Sequence, residues 1–371
     1  MKLQRLHIRK GEVFLLAPMF FLVIVGVLVQ FSLSATDRSG LVASPLTHLI
    51  SVAIGIAVMF VTTALPLTIW PKIARLFYGV VIVMLVCVLT FGPEVFGAKR
   101  WLLFSGFQIQ PSEIMKPALA FMTAYLLVRK VRSNRQWFRI VSLLSLLGIP
   151  VLLVLLQPDI GTSLVLVAIW VAEVVTTSTV SWRQLAIMVA ALVMVVVLCL
   201  PFMSPYQRAR VTSFIGGHSE DDASSYNVVQ ARIAVGSGGV FGQGLSGGTQ
   251  SQLSFLPARH TDFVFAVVAE KLGILGALGV VVAEGCIALR AWQIVKSTKK
   301  LQPSLVAAGM ASVFLVQAIV NTSMNIGLLP VTGIPLPFVS YGGTSMIVSM
   351  FMVGWLLKLD SANRSQDLFT G

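Results

Sequence analysis

Of the 371 residues, 56% are hydrophobic and only 11% charged, and the mean hydropathy is +0.89. A soluble domain carries about 25% charged residues, so this balance excludes a soluble globular protein and predicts a polytopic membrane protein. The net charge of +13 is therefore no nucleic-acid signal: Lys and Arg collect in short loops on one side, as the positive-inside rule requires.

The length suits about ten spans of roughly 20 residues plus one long loop. Lys2, Arg5, Arg9 and Lys10 place the N-terminus in the cytoplasm. No cleavable signal peptide is expected, because the first apolar run is too long and lacks a cleavage site. Spans 1 to 3 are predicted at roughly 12–34, 46–65 and from the Pro66/Pro71 turn to Phe91, with Gly92-Pro93 ending the third. The apolar and aromatic loop around Lys99, Arg100 and Trp101 is expected to lie in the outer interface. Span 4 opens at Gln110-Pro111-Ser112-Glu113, with Pro111 suited to a first turn. A basic cytoplasmic loop follows it. Spans 5 and 6 flank the outer turn Gln157-Pro158-Asp159-Ile160-Gly161-Thr162, and span 7 ends near Pro201.

Residues 202–260 form the one long loop, extracytoplasmic between spans 7 and 8. It holds Arg208, Arg210, the acidic run Glu220-Asp221-Asp222 and two Gly-rich clusters at 236–239 and 242–248. Pro257 closes it. Span 8 is predicted over roughly 262–289, with Thr261 or Asp262 as a candidate cap and Arg290, Lys296, Lys299 and Lys300 in a cytoplasmic loop. Span 9 covers roughly 304–328 and span 10 runs from near Ser340 to near Lys358. The expected fold is an all-α integral membrane domain occupying residues 1–371, with both termini cytoplasmic. Most of the 27 Lys and Arg fall on that side, while the short outer loops hold only Arg38, Lys99 and Arg100. Cys87, Cys199 and Cys286 lie in separate apolar runs without metal or disulfide spacing.

A charge inside a span costs roughly 2.5–3.5 kcal/mol on insertion scales, so each one needs a reason. Glu113 and Lys116 are three apart on one helical face and can pair. With Asp159 and Asp262 they lie near outer ends of spans, on the side of Lys99, Arg100, Arg208 and Arg210. Carboxylates and cations gathered at one face suit an anionic lipid headgroup such as a diphosphate. His260 and Thr261 flank Asp262 and complete the candidate set. Glu173 and Glu284 lie toward the cytoplasmic ends and read as structural or interfacial. Residues 242–247 match GxGxxG, with Asp262 twenty residues after Gly242. No strand precedes this match and no βαβ unit follows, so a dinucleotide site is rejected, and the glycines are read as allowing turns and close backbone approach.

Several stretches together resemble the SEDS family (shape, elongation, division and sporulation). They are Gly97-Ala98-Lys99-Arg100-Trp101, Gln110-Pro111-Ser112-Glu113, Gln157-Pro158-Asp159-Ile160-Gly161-Thr162, Tyr206-Gln207-Arg208-Ala209-Arg210, Gly248-Thr249-Gln250-Ser251-Gln252, Phe255 through Phe263, and Pro335 through Gly343. The match spans nearly the whole chain in order, and the Gly248–Gln252 motif resembles the elongation branch more than the division branch. The resemblance implies a peptidoglycan glycosyltransferase that polymerises lipid II into β-1,4-linked strands at the outer face of the inner (cytoplasmic) membrane. Asp262 falls at the family's essential aspartate, and a carboxylate there can serve as general base. The leaving diphosphate needs positive charge, from a divalent cation (Mg or Mn) or from Arg and Lys. No metal set is assigned beyond Asp262 as one conceivable ligand. The implied partners are lipid II, the growing glycan strand and a class B penicillin-binding protein, a transpeptidase. Two alternatives stay open: a lipid II flippase and a non-catalytic scaffold for the transpeptidase.

Overall fold

The computed structural model describes residues 10–36, 44–94, 98–104, 107–130, 136–177, 181–188, 190, 223–253, 255–256 and 258–367. Helices α1 (Lys10–Thr36), α2 (Pro45–Ala64), α3 (Trp70–Phe91), α4 (Pro111–Lys130), α5 (Gln136–Leu156) and α6 (Ile160–Thr176) form the first half. After α7 (Ala223–Ser237) and the single turn α8 (Thr249–Gln252) come α9 (Val264–Ser297), α10 (Leu301–Asn325) and α11 (Gly343–Asp367). Every expected span except the seventh has its helix. Of the seventh, residues 182–188 and 190 are described, and they are helical. Among the described residues, six helices are long and apolar enough to cross a membrane, and α5 and α6 contain shorter apolar stretches. The protein is a polytopic, almost wholly helical membrane protein.

The helices lie where sequence punctuation puts them. Pro sits in the first turns of α2 and α3, where its missing N–H costs nothing. Both helices end on an extended residue whose N–H still bonds the preceding turn. The core is made by apolar faces with very close backbone approaches. A Cβ on Gly354 of α11 would come 2.5 Å from the Met59 carbonyl of α2, and one on Gly55 would meet the Met350 side chain at 2.9 Å. Small residues at such crossings let membrane helices pack without a hydrophobic driving force. At the centre, α10 packs against α4, α6 and α9.

The structure refines four expectations. The loop before α4 contains a short antiparallel hairpin, β1 (Leu102–Phe104) with β2 (Phe107–Ile109), beside the expected all-α bundle. The long loop contains α7, packed against α9. Span 8 runs well beyond residue 289 because α9 continues to Ser297, which places Arg290 and Lys296 within a helix. Arg290 can sit there because Asp360 of α11 receives its Nη2 at 3.0 Å on both carboxylate oxygens, and Arg364 adds a 2.6 Å contact to the same acid. Arg290 Nε also donates to the Gly11 carbonyl, fastening α1 to this corner. Glu173 and Glu284 are not interfacial but fully enclosed in the bundle, and none of their carboxylate oxygens has a hydrogen-bond partner. Cys87 and Cys286 are free and half-buried; Cys199 lies outside the described residues.

Candidate functional site

Asp262 lies in a tight turn that delivers the chain into α9. Ala258 takes a left-handed conformation (φ 51°), which lets its carbonyl accept from the N–H groups of Thr261 and Phe263. Left-handed backbone is costly for a residue with a Cβ and concentrates at functional sites. The helix cap differs from expectation: the N-cap is Phe263, whose side chain cannot cap, rather than Thr261 or Asp262. The help comes from α10. Asn325 Oδ1 accepts from the Ala266 N–H at 3.0 Å, and its Nδ2 donates to the Asp262 carbonyl at 3.0 Å. Asn321 Nδ2 donates to the same carbonyl at 3.1 Å and to that of Ile334 at 2.7 Å. The main chain of Asp262 is thus clamped at the mouth of α9, and its side chain is half-buried there.

The segment between α10 and α11 forms the other wall. Ser340 Oγ donates to the Thr261 carbonyl at 2.7 Å, and the Tyr341 N–H donates to that of His260 at 2.8 Å. Gln30 of α1 donates to the same His260 carbonyl at 3.0 Å. The Tyr341 ring lies between two imidazoles, stacked on His48 of α2 at 5.8 Å and edge-on to His260 at 6.0 Å. Burial pushes the Tyr341 phenol up, partly offset by its hydrogen bond with Thr47. Phe338, also left-handed (φ 61°), stacks its buried ring on Phe314 of α10. In the sequence this wall is visible only as the motif Pro335 through Gly343. Its role was not legible because Pro335 to Gly343 contains no charged residue.

The Gly-rich clusters behave as expected and add two unforeseen partners. Gly273 interrupts α9 at φ 70°, ψ −170°, and residues 238–248 fill the break. Ile274 and Leu275 donate to the carbonyls of Gly239 and Val240, while Gln243 and Gly244 donate to those of Glu270 and Lys271. The buried Glu270 carboxylate accepts the Gln250 N–H at 2.8 Å and the Ser251 N–H at 3.0 Å, so it caps α8 from a distance. Lys271 Nζ donates to the Leu245 and Gly247 carbonyls. Arg259, also buried, donates to the Ser251 carbonyl at 2.6 Å. Glu270 and Lys271 of α9 therefore anchor the loop.

The remaining candidates gather beside α4 and α6. Asp159 is the N-cap of α6, accepting from Thr162 N–H at 3.0 Å and Thr162 Oγ1 at 2.8 Å, with Gln110 Nε2 at 3.4 Å. Arg100 holds the same turn by donating to the Gln157 and Pro158 carbonyls. Glu113 and Lys116 form the ion pair their spacing implies, 2.5 Å apart and 2% and 1% exposed. Thr344 joins this cluster to the wall, donating to Gln108 and accepting from the Gln110 N–H. The segment 330–344 thus links the Asp262 turn to the Asp159 turn. Lys99 is half-buried next to the hairpin. Arg208 and Arg210, and with them His218 and the acidic run at 220–222, lie outside the described residues. No group of three His, Cys, Asp or Glu able to hold a metal occurs among the described residues. A single carboxylate fits only a cation such as Mg or Mn that takes most of its ligands from a substrate diphosphate and water.

Comparison with known proteins agrees with this architecture. The sequence matches the FtsW/RodA/SpoVE family, described as cell cycle proteins, over residues 13–365. It is 36% identical over 346 residues to peptidoglycan glycosyltransferase MrdB of Escherichia coli, covering 93% of each chain. A probable peptidoglycan glycosyltransferase FtsW of Acinetobacter baylyi is 34% identical over 85% of this chain and 80% of its own. The crystal structure of the Thermus thermophilus rod shape determining protein RodA superposes with a TM-score of 0.69 at 26% identity, covering 97% of this chain and 98% of that one. A chain from a structure on coordination of polymerisation and crosslinking by a peptidoglycan synthase complex reaches 0.77, also at 26% identity, over 94% and 98%. This chain belongs to the FtsW/RodA/SpoVE cell cycle protein family, the SEDS family that its motifs resemble.

Proposed function

We propose that this protein is a peptidoglycan glycosyltransferase of cell elongation that polymerises lipid II, with Asp262 as general base. The observation that carries the assignment is the clamp on Asp262: two asparagine amides of α10 fix its carbonyl at the mouth of α9. A fixed backbone holds a reacting carboxylate in one geometry, which is what positioning contributes to rate. In the reaction, the C4 hydroxyl of an incoming GlcNAc attacks the anomeric carbon of a diphosphate-linked MurNAc. The hydroxyl proton passes to the Asp262 carboxylate, the anomeric C–O bond breaks, and the diphosphate leaves with the electron pair. Inversion converts the α-linked donor into a β-1,4 bond. Arg208 and Arg210, Lys99, and a divalent cation are candidates to meet the charge on the leaving diphosphate.

The excess of Lys and Arg at the opposite end of the bundle supports a cytoplasmic location for both termini and an outer position for Asp262. The synthase-complex neighbour, whose structure concerns coordination of polymerisation and crosslinking, supports a crosslinking partner, which we assign as a class B penicillin-binding protein in the inner membrane. Flipping and scaffolding gain nothing specific: the charged candidates cluster at one end rather than along a path through the bundle.

The test is polymerisation of labelled lipid II by the purified full-length protein in detergent, wild type against Asp262→Asn. The variant should insert, bind its partner and make no polymer. Near-normal polymer from it would remove the base assignment, and no polymer from the wild type with its partner would favour the scaffold or flippase.

A further inference from the structure

At the end of the bundle opposite Asp262, α3, α4 and α10 enclose an open cleft of about 360 Å³ lined by Pro71, Lys72, Arg75, Tyr125, Arg129 and Gln302, with Val128 at its side. Gln302 and Asn325 are at opposite ends of α10, about 35 Å apart at a rise of 1.5 Å per residue, so this is not part of the site above.

Its chemistry is one-sided. Among the described residues that line it, three are cations and none is a carboxylate. Two guanidinium groups share one aromatic ring, with the Arg75 and Arg129 carbons 5.7 and 5.3 Å from the centre of Tyr125. Arg129 also donates to the Tyr125 hydroxyl at 2.5 Å. An aromatic face attracts each cation but cannot cancel their mutual repulsion, which an anion between them would. Pro71 and Lys72 lie in the first turn of α3, and Gln302 in that of α10. Two helix starts therefore bring their positive dipole ends to the same cleft. Loop charges that only set orientation need no such arrangement. Here guanidinium forks, an amide and a phenol line one open cleft at the ends of apolar helices, which suits bidentate recognition of a phosphodiester.

We propose that this cleft binds the phosphate of an anionic membrane phospholipid. Basic pockets between spanning helices take such headgroups, and the open side of the cleft leaves the acyl chains in the bilayer. The inference does not depend on the proposed activity or on which leaflet this end faces.

The test is native mass spectrometry of the delipidated full-length protein with phosphatidylglycerol or phosphatidylcholine added. The triple variant Lys72→Ala, Arg75→Ala, Arg129→Ala is compared with Lys296→Ala, Lys299→Ala, Lys300→Ala, which removes three cations at the same end but outside the cleft. Wild type should retain phosphatidylglycerol over phosphatidylcholine. The cleft variant should lose about a hundredfold in affinity, from an attraction of ~1 kcal/mol per cation, and the other variant should keep wild-type binding. Should the alanine variant not fold, Arg75→Gln with Arg129→Gln serves in its place, with a loss of about thirtyfold expected for the two cations removed. Equal retention of the two lipids by wild type, equal losses in the two cation variants, or displacement of the lipid by inorganic phosphate alone would each overturn the proposal.

Discussion

One amide on Asn325 ties together the two parts of the site that must not move. Its nitrogen donates to the Asp262 carbonyl and its oxygen accepts from the Ala266 N–H, each at 3.0 Å. Asn325 is fully buried at the end of α10, and its Nδ2 also reaches the Asn321 carbonyl at 2.8 Å. A helix start capped by its own side chain could fray without disturbing a neighbour. Here, fraying of α9 would pull on α10.

Replacing Asn325 by Leu should therefore affect activity more than insertion. The buried Ala266 N–H loses its partner, at about 1–3 kcal/mol, and the Asp262 carbonyl loses one of its two asparagine donors. Because small misplacement of a reacting group costs up to about a hundredfold, polymerisation should fall tenfold or more while the protein still elutes as a monodisperse peak. Asn325→Asp retains an acceptor for Ala266 but turns a second oxygen toward the Asp262 and Asn321 carbonyls, so it should restore neither stability nor activity. Wild-type polymerisation in Asn325→Leu would show that the clamp does not position Asp262.

The sequence made these features legible to different depths, for physical reasons. Helix positions and the Asp262 region were readable because apolar runs and isolated charges are local signals. The Glu113–Lys116 pair was readable because three residues on a helix bring side chains together. Asn321 and Asn325 were missed because a polar residue near a helix end looks ordinary until its partners, about sixty residues earlier, are known. The true end of α9 was missed because Arg290 reads as a loop residue, and only Asp360, seventy positions later, makes it acceptable within a helix. The roles of Glu270 and Lys271 were not legible because their targets are backbone groups, which leave no mark in a sequence.

Glu113 and Lys116 should behave as a unit. Removing one member of a buried pair strands the other and costs about 3–5 kcal/mol, whereas replacing both with apolar groups is often close to neutral. In apparent melting temperature, Glu113→Leu and Lys116→Met should each be strongly destabilising, and the double variant should lose less than the sum of the two. Additive losses would mean that the two side chains do not interact in the folded protein.

Glu270 should matter through the loop that it caps. Glu270→Ala leaves the N–H groups of Gln250 and Ser251 without their acceptors, at about 1–3 kcal/mol for each that stays buried. Glu270→Gln keeps one acceptor oxygen and should be intermediate. Limited proteolysis within residues 238–253 should accelerate in the order wild type, Gln, Ala. An unchanged cleavage pattern in the Ala variant would show that the cap does not hold this segment.

Gly273 provides a comparison within a single helix. Its backbone (φ 70°, ψ −170°) lies in a region essentially restricted to glycine, and a Cβ there would come 2.3 Å from the Val240 carbonyl and 2.4 Å from the Gly242 nitrogen. Neither contact is with a flexible side chain, so the loop would have to move. Gly285, further along α9, has nothing within 4 Å of its would-be Cβ and shows no unusual φ. Gly285→Ala should be neutral or stabilising, by up to about 1 kcal/mol from helix propensity. Gly273→Ala should cost at least the 1–3 kcal/mol of backbone strain and release residues 238–248 from α9. Hydrogen exchange at Ile274 and Leu275, whose N–H groups bond the loop carbonyls, would report that release directly. Equal protection of those two amides in both alanine variants would mean that the break in α9 does not depend on the docked loop.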